Sequence, residues 1–391
     1  MIDKIDKLSR FKQDLAALRE KGLYRRAVSY DPVSPVRVRR GGREYLMMAS
    51  NNYLGLTHHP AVKRAAALAA EKYGTGSGGS RLTSGSHVLF EKLERELAEF
   101  KQTDSAVIFN TGYMANVGTV SAIAQKGDFI ISDALNHASI IDGCRLSHAQ
   151  CLVYPHKDMR ALEDILKKLH DSSGALKLIV TDSVFSMDGD IAPLDEIYLL
   201  AQKYDALVMA DDAHATGVLG RGHGSSEHFG LSGKIDIQLG TFSKALASEG
   251  GFVAAKKPIV QYLINHARSY IFSTALTPAD IAAAREALHI ISTDTSYVDK
   301  LSANTAAMKT YLAQQGIAVD TQTPIFPIIV GGNEAALKTA EKLYDDGIIL
   351  SAIRPPTVPK GCSRLRLTVT AAHEEKDLQW AAARIKACLS E

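Results

Sequence analysis

The segment Ala206-Leu-Val-Met-Ala-Asp-Asp-Ala-His214 runs from an apolar stretch directly into two carboxylates and a histidine. The apolar part is typical of a strand that is buried on both faces of a parallel sheet. A carboxylate at the end of such a strand is costly unless it meets a cation. Because ligands of α/β proteins bind at the carboxyl ends of the strands, the segment predicts a functional site there.

A second apolar strand, Ile235-Asp-Ile-Gln-Leu, opens into Gly240-Thr-Phe-Ser-Lys244. A lysine that follows a strand among small hydroxyl residues can form a Schiff base if its surroundings lower its pKa. Lys244 is therefore a candidate cation for the carboxylate of Asp211.

A third segment, Asn110-Thr-Gly-Tyr-Met-Ala, follows the strand Ala106–Phe109 and opens an apparent helix. Its backbone N–H groups would face an anion at the positive end of that helix. Pyridoxal phosphate needs a lysine for its aldehyde, an acid opposite its pyridine nitrogen and hydrogen-bond donors for its phosphate. Lys244, Asp211 and this helix start can supply all three.

Around these segments, strand and helix patterns alternate over some 150 residues, with further strands predicted at Phe129–Ile131 and Leu178–Thr181. This alternation predicts an α/β fold with a mostly parallel sheet in a large domain over residues 46–293. A smaller α+β carboxy-terminal domain is expected over residues 294–391. Residues 1–45 are expected to form a helical arm, because apolar residues recur at steps of three and four at Ile5, Leu8, Phe11, Leu15 and Leu18.

Composition excludes several classes of protein. The 391 residues carry a formal net charge of +2, which argues against a dedicated nucleic-acid binder. The long uncharged stretch at 105–125 contains asparagines and glycines, so no membrane span and no membrane partner are expected, and we predict a cytoplasmic protein. Four scattered cysteines without CxxC spacing suggest neither a disulfide framework nor a metal site.

Gly74, Gly76 and Gly79 satisfy the GxGxxG pattern but follow the helical run Val62–Tyr73, whereas a dinucleotide fingerprint must leave a strand. The glycines would permit close approach of the backbone to a ligand or to a neighbouring chain. A flexible loop is the alternative interpretation.

Six motifs in order make the chain resemble the α-oxoamine synthases, which are fold-type-I pyridoxal-phosphate transferases that condense an amino acid with an acyl thioester. The motifs are Ser50-Asn-Asn-Tyr-Leu-Gly-Leu56, Gly76-Ser-Gly-Gly-Ser-Arg81, Asn136-His-Ala-Ser139, Val184-Phe-Ser-Met-Asp-Gly189, Asp211-Asp-Ala-His-Ala-Thr-Gly217 and Thr241-Phe-Ser-Lys244. The resemblance implies pyridoxal 5'-phosphate as the cofactor and predicts an enzyme of that fold type.

The resemblance also implies roles for individual residues. Lys244 would carry the cofactor and act in catalysis, and Asp211 would face the pyridine nitrogen. His137 would stack on the cofactor ring beside the substrate. The remaining cofactor contacts would be His214 and Ser186 at the ring oxygen, Gly112, Tyr113 and Thr241 at the phosphate, and Ser273 and Thr274 at the phosphate of a neighbouring subunit. A homodimer with shared active sites is therefore expected.

For the substrates, the stretch Ala352–Pro359 most closely resembles the members that use L-alanine and a pimeloyl thioester. Whether coenzyme A or an acyl carrier protein carries the acyl chain stays open. Arg366 would clamp the amino-acid carboxylate, and the other implied substrate contacts are Arg25, Asn51, His137 and Thr357, with Arg26 an alternative to Arg25.

Two other interpretations remain. One is a glycine-specific member of the same family with a short acyl donor. The other is a cofactor-free or nicotinamide-binding α/β protein in which Lys244 and Asp211 are unrelated.

Overall fold

The computed structural model describes residues 7–170 and 174–390, so Ile5 of the predicted arm lies outside it. The strands are β1 (Asp31–Ser34), β2 (Arg37–Arg40), β3 (Arg43–Met47), β4 (Ser105–Phe109), β5 (Phe129–Asp133), β6 (Gln150–Tyr154), β7 (Lys177–Asp182), β8 (Leu207–Asp211), β9 (Ile237–Thr241), β10 (Gly251–Ala255), β11 (Ile325–Gly331), β12 (Ile348–Ile349), β13 (Ser351–Ile353) and β14 (Ser363–Thr368). The α-helices are α1 (Ser9–Glu20), α2 (Pro60–Tyr73), α3 (Val88–Phe100), α4 (Gly112–Ile123), α5 (Ala138–Leu146), α6 (Met159–Lys168), α7 (Leu194–Tyr204), α8 (Ser225–His228), α9 (Lys257–His266), α10 (Arg268–Ile271), α11 (Pro278–Thr293), α12 (Ser296–Gln314), α13 (Asn333–Asp345) and α14 (Glu375–Ser390).

The central sheet has seven strands in the order β4-β10-β9-β8-β7-β5-β6. Only β10 runs antiparallel to its neighbours, β4 and β9. All residues of β7 and β9 are buried, as expected for strands with helices on both faces. The predicted α/β fold with a mostly parallel sheet is confirmed.

The carboxyl ends of the central strands bring polar side chains to one edge of the sheet. Asp182 at the end of β7 lies directly opposite Asp211 at the end of β8. Thr241 ends β9, three residues before Lys244. The predicted catalytic residues therefore share one edge because their strands are parallel neighbours.

The carboxy-terminal part has a three-stranded antiparallel sheet in the order β11-β14-β13. Its core includes Met308 of α12, Phe326 of β11 and Leu378 of α14, all fully buried. Strand β14 is buried along its whole length and carries Arg366. The packing of this sheet therefore holds a guanidinium group in the interior.

The amino-terminal arm contains more than the predicted helix. No residue of α1 is buried, and Phe11 is 61% exposed. After α1, strands β1 to β3 form a sheet that β12 extends by pairing in parallel with β3. The arm thus joins the carboxy-terminal part through backbone pairing, and the division at 45/46 and 293/294 stays a prediction.

No helix in the described ranges is long and apolar enough to cross a membrane. All four cysteines are free, and Cys144 and Cys388 are buried. In the part of the chain that the structure describes, no group of three or more His, Cys, Asp or Glu residues could hold a metal ion.

Candidate active site

A cavity of about 200 Å³ opens at the carboxyl edge of the central sheet. Its wall combines most of the predicted cofactor residues with several that sequence reasoning did not single out. The lining residues are Thr111, Gly112, Tyr113, Asn116, His137, Ser139, Asp182, Asp211, Ala213, His214, Thr241, Ser243, Lys244 and Glu249.

Lys244 is placed in this cavity by the turn after β9. Burial lowers the pKa of its amine to about 8, an effect that the carboxylates of Asp211 and Asp182 oppose and that the guanidinium of Arg366 reinforces. At pH 7.4 roughly a fifth of the amine is therefore neutral, compared with roughly a thousandth for a lysine of ordinary pKa, and only a neutral amine can attack an aldehyde.

This lowered pKa predicts a pH profile. With cofactor removed, the rate at which the protein reacts with pyridoxal phosphate should rise with pH, reach half of its maximum near pH 8 and level off above about pH 9, as the Lys244 amine becomes fully neutral. A lysine with the ordinary pKa of about 10.4 would continue to gain reactivity well beyond that point. Stopped-flow absorbance distinguishes the two profiles, and a rate that still climbs at pH 10 contradicts the assignment.

The neighbouring carboxylates Asp211 and Asp212 point to different sides. Asp211 accepts hydrogen bonds from the Asn116 side chain (2.6 Å) and from the backbone N–H of Ala213 (2.8 Å), and it lines the cavity. Asp212 instead accepts a hydrogen bond from Lys101 at 2.8 Å, in an ion pair whose side chains are 1% and 0% exposed. The structure thus places Asp211 in the cavity and Asp212 beside its own cation, and the role of Asp211 as the cofactor's acid stays a prediction.

Two residues of this constellation were missed in the sequence. Asn116 lies within α4, one residue beyond the helix start that the sequence indicated as an anion site. Asp182 ends a buried strand, as Asp211 does. The expectation that ligands bind at the carboxyl ends of such strands could therefore have identified it. Burial, followed by the nearby charge of Asp211, raises the pKa of Asp182 well above its usual range.

His137 caps the start of α5. Its backbone N–H donates to Asp182 at 2.5 Å, and its Nδ1 lies 2.7 Å from the hydroxyl of Ser139. Burial lowers the pKa of His137, and the amine of Lys244 lowers it further, while Asp211 opposes the shift. A neutral ring in this place offers a flat face to a stacked ligand.

His214 lines the same cavity as Lys244, with Nδ1 only 2.6 Å from the hydroxyl of Tyr53. Burial lowers its pKa well below the ordinary value, and the cations Lys244 and Arg366 add to that effect. The imidazole is therefore neutral and carries a single N–H.

An anion can be held where α4 begins. The Thr111 side chain caps the helix by accepting from the N–H of Met114 at 3.0 Å. A Cβ at Gly112 would come within 3.2 Å of the Thr241 Cβ, so a larger residue there would crowd the approach. The exposed ring of Tyr113 donates its hydroxyl proton to Asp142. These predicted phosphate contacts lie together.

Arg366 is 4% exposed, and two of its nitrogens donate three hydrogen bonds. Its Nε donates to the backbone oxygen of Ser186 (2.5 Å), and its Nη1 donates to Asn51 (3.0 Å) and Thr368 (2.9 Å). Its Nη2 lacks a hydrogen-bond partner among the described residues. An unpaired, buried N–H donor on a cation is costly unless a ligand supplies an acceptor, and a carboxylate matches it best.

The remaining predicted residues lie outside the wall of the cavity. Ser186 contributes its backbone oxygen to Arg366, and Thr274 forms an isolated bridge with Ser80 while its backbone oxygen accepts from Asn110. The glycine-rich segment therefore packs beside Ser273 and Thr274 in the same chain.

Arg25 and Thr357 meet at the turn after β13. The exposed guanidinium of Arg25 donates to the oxygen of Pro355 at 3.4 Å, and the N–H of Thr357 donates to Arg354 at 3.2 Å. The structure brings these two predicted substrate residues to the same turn, and neither is among the residues that line the cavity around Lys244. Arg26 lies over the ring of Tyr24 instead.

Pyridoxal phosphate suits this set of groups. A lysine of low pKa, a buried carboxylate, a helix start with a close glycine and two neutral imidazoles correspond to its aldehyde, pyridine nitrogen, phosphate and ring. The unpaired Nη2 of Arg366 leaves a site for the carboxylate of an amino-acid substrate.

Residues 43–385 match the family described as aminotransferase class I and II, and the chain belongs to that family. It is 48% identical over 379 residues to the 8-amino-7-oxononanoate synthase of Lysinibacillus sphaericus, covering 96% of this chain and 97% of that protein.

Two solved structures resemble the fold. SPT with a PLP internal aldimine superposes with a TM-score of 0.92 at 33% identity, over 99% of this chain and 98% of that chain. The 8-amino-7-oxononanoate synthase of Francisella tularensis superposes with a TM-score of 0.74 at 28% identity, over 88% and 97% of the two chains. The predicted fold type I is confirmed.

Proposed function

We propose that the protein is an 8-amino-7-oxononanoate synthase that joins L-alanine to a pimeloyl thioester with loss of carbon dioxide and thiol. The observation that carries this proposal is the cavity that places the low-pKa amine of Lys244 beside Asp211, with the buried guanidinium of Arg366 and its unpaired Nη2 close enough to act on that amine. The relatives of that name support the choice of substrates.

The bound pyridoxal phosphate would supply an electron-withdrawing ring for the amino acid's Cα. Asp211 would hold a proton on the pyridine nitrogen, because a buried carboxylate favours a cation beside it. Arg366 would bind and orient the alanine carboxylate, and His137 would cover the ring. Lys244, once its amine is free, would remove the Cα proton at Nζ and later return a proton to the product.

The substrate pair gives a quantitative test of this function. A pimeloyl chain ends in a carboxylate that an acetyl chain lacks, and a site built for that charge leaves polar groups unpaired when a short chain binds. We expect kcat/KM for L-alanine with pimeloyl thioester to exceed that for glycine with acetyl thioester at least roughly a hundredfold, about 2.7 kcal/mol. Release of carbon dioxide measures both.

The same assay identifies the competing function. A single extra methyl is worth only about 1–3 kcal/mol, so slow reaction of glycine with pimeloyl thioester is compatible with the proposal. If glycine with acetyl thioester is the better pair, the protein is a glycine-specific ligase and the cofactor assignment is unaffected. Arg25→Ala tests whether the arm contributes to acyl recognition, with Arg10→Ala as an exposed arginine of the same arm for control.

We also propose a homodimer with shared sites, supported by the exposed apolar residues Phe11, Leu82 and Phe272, which are 61%, 52% and 72% exposed in the single chain. Mixing inactive Lys244→Ala protein with an inactive Ser273→Ala/Thr274→Ala protein should restore up to about a quarter of the wild-type activity if two chains build each site. Each variant mixed with itself serves as the control.

Sedimentation at working concentration measures whether the active protein is a dimer, and so can contradict this proposal. A monomer that is fully active rules out shared sites, and so does the absence of recovery after the two chains have been shown to exchange. The cytoplasmic location stays a prediction.

A further inference from the structure

Tyr53 is the only described residue within hydrogen-bond distance of His214 Nδ1. Its side chain is completely buried, and its ring meets the imidazole edge-on with centroids 6.0 Å apart. The Nε2 atom of His214 makes no hydrogen bond to the described residues, while the imidazole lines the cavity beside Lys244. What Nε2 offers to a ligand thus depends on which ring nitrogen holds the single proton.

The distances around the Tyr53 hydroxyl indicate where its proton is donated. His214 Nδ1, at 2.6 Å, is the nearest acceptor to the Tyr53 hydroxyl among the described residues. The alternative acceptor for the Tyr53 proton is the Asn51 oxygen, which lies 3.4 Å away. That Asn51 oxygen already accepts from Arg366 at 3.0 Å.

Arg366 lies near the same hydroxyl. Burial raises the pKa of Tyr53, and the guanidinium of Arg366 opposes that shift. A guanidinium has donors and no acceptor, so Arg366 cannot take the phenol proton. That proton is left with two acceptors in range, of which His214 Nδ1 at 2.6 Å is nearer than the Asn51 oxygen at 3.4 Å.

We infer that Tyr53 is a positioning residue that fixes His214 in the tautomer with its proton on Nε2, so that the imidazole presents an N–H donor to the cavity. This inference rests on the proposed function for its ligand, which would be the ring oxygen of the cofactor. A donor at Nε2 suits an oxygen that carries negative charge, whereas the other tautomer would present a lone pair and repel it.

The test measures the tautomer itself. Full-length protein labelled with ¹⁵N in its histidine rings is studied by ¹H–¹⁵N correlation, as the holoenzyme and again after removal of cofactor, with His214 assigned from its missing signals in His214→Gln. We expect protonated Nε2 and unprotonated Nδ1 in both forms. In Tyr53→Phe the ratio of the two tautomers should fall at least roughly threefold, as expected for the loss of one hydrogen bond, and pyridoxal phosphate should bind more weakly by a similar factor.

Tyr154→Phe is the matched control, because Tyr154 is also completely buried and makes no contact with His214. It should leave the His214 signals and the cofactor affinity unchanged. A proton on Nδ1 in the wild-type protein overturns the inference even if Tyr53→Phe fails to fold. So does an unchanged ratio in Tyr53→Phe, or an Nε2 proton that appears only with cofactor bound. The tautomer is read without any substrate, so failure of the substrate assays leaves it untouched, and the reverse also holds.

Discussion

Lys244→Ala should abolish turnover, with kcat reduced by at least roughly 10⁴-fold, because one side chain serves both as the cofactor's attachment point and as the proton-transfer group. The amine is held in the cavity with a pKa of about 8, and other described cations of the site, such as Arg366, cannot replace an amine that must be neutral to react. Pyridoxal phosphate can still bind non-covalently, since the contacts at Asp211 and at the start of α4 remain.

Borohydride reduction and peptide mapping check this expectation directly. The pyridoxyl label should be found on Lys244 in the wild-type protein and should disappear in Lys244→Ala. Lys256→Ala, an exposed lysine at the end of β10, serves as the control and should keep both the label and full activity. Label on any other lysine would mean that the turn after β9 does not carry the cofactor.

Asp211→Asn should fold normally yet lose roughly 10²- to 10³-fold in kcat, about 2.7–4 kcal/mol of transition-state stabilisation. An amide is neutral and no longer favours a protonated pyridine, and its single oxygen can keep only one of the two hydrogen bonds that Asp211 accepts from Asn116 and Ala213. Steady-state kinetics measure the loss, and thermal unfolding should show only the modest change expected for one lost hydrogen bond, about 1 kcal/mol.

Asp212→Asn is the natural comparison, since the two carboxylates are adjacent in the chain but differ in their surroundings. Removing the charge of Asp212 leaves Lys101 buried without its counter-ion, which typically costs 3–5 kcal/mol of folding stability. We therefore expect a strongly lowered free energy of unfolding, with activity lost in proportion to the unfolded fraction. Loss of turnover in Asp212→Asn at normal stability, together with near-normal turnover in Asp211→Asn, would reverse the assignment of the two acids.

Much of the fold could be read from local pattern. The apolar runs before Asp211 and Lys244 predicted buried parallel strands, and the structure has β8 and β9 within two residues of the expected bounds. Strands β6 and β10 were not predicted, since β6 is mostly solvent-facing at its start and β10 runs against the direction that the alternating pattern implies. The sheet of β1 to β3 was also not predicted. Its pairing with β12 could not be read from local pattern, because it joins residues some 300 positions apart.

The sequence by itself determined which chemical groups follow the buried strands. A helix start follows the first of these strands, an acid follows another, and a lysine follows the next. Local spacing suffices there, because the carboxyl ends of parallel strands share an edge of the sheet. Only the tertiary structure decided which neighbour each group meets. Lys101 pairs with Asp212, Asn116 with Asp211, and Tyr53 with His214, all across more than ninety positions of sequence. Those partners set charge, tautomer and pKa through distances of a few ångströms in a buried medium, and side-chain distances of that kind arise only when remote segments pack together.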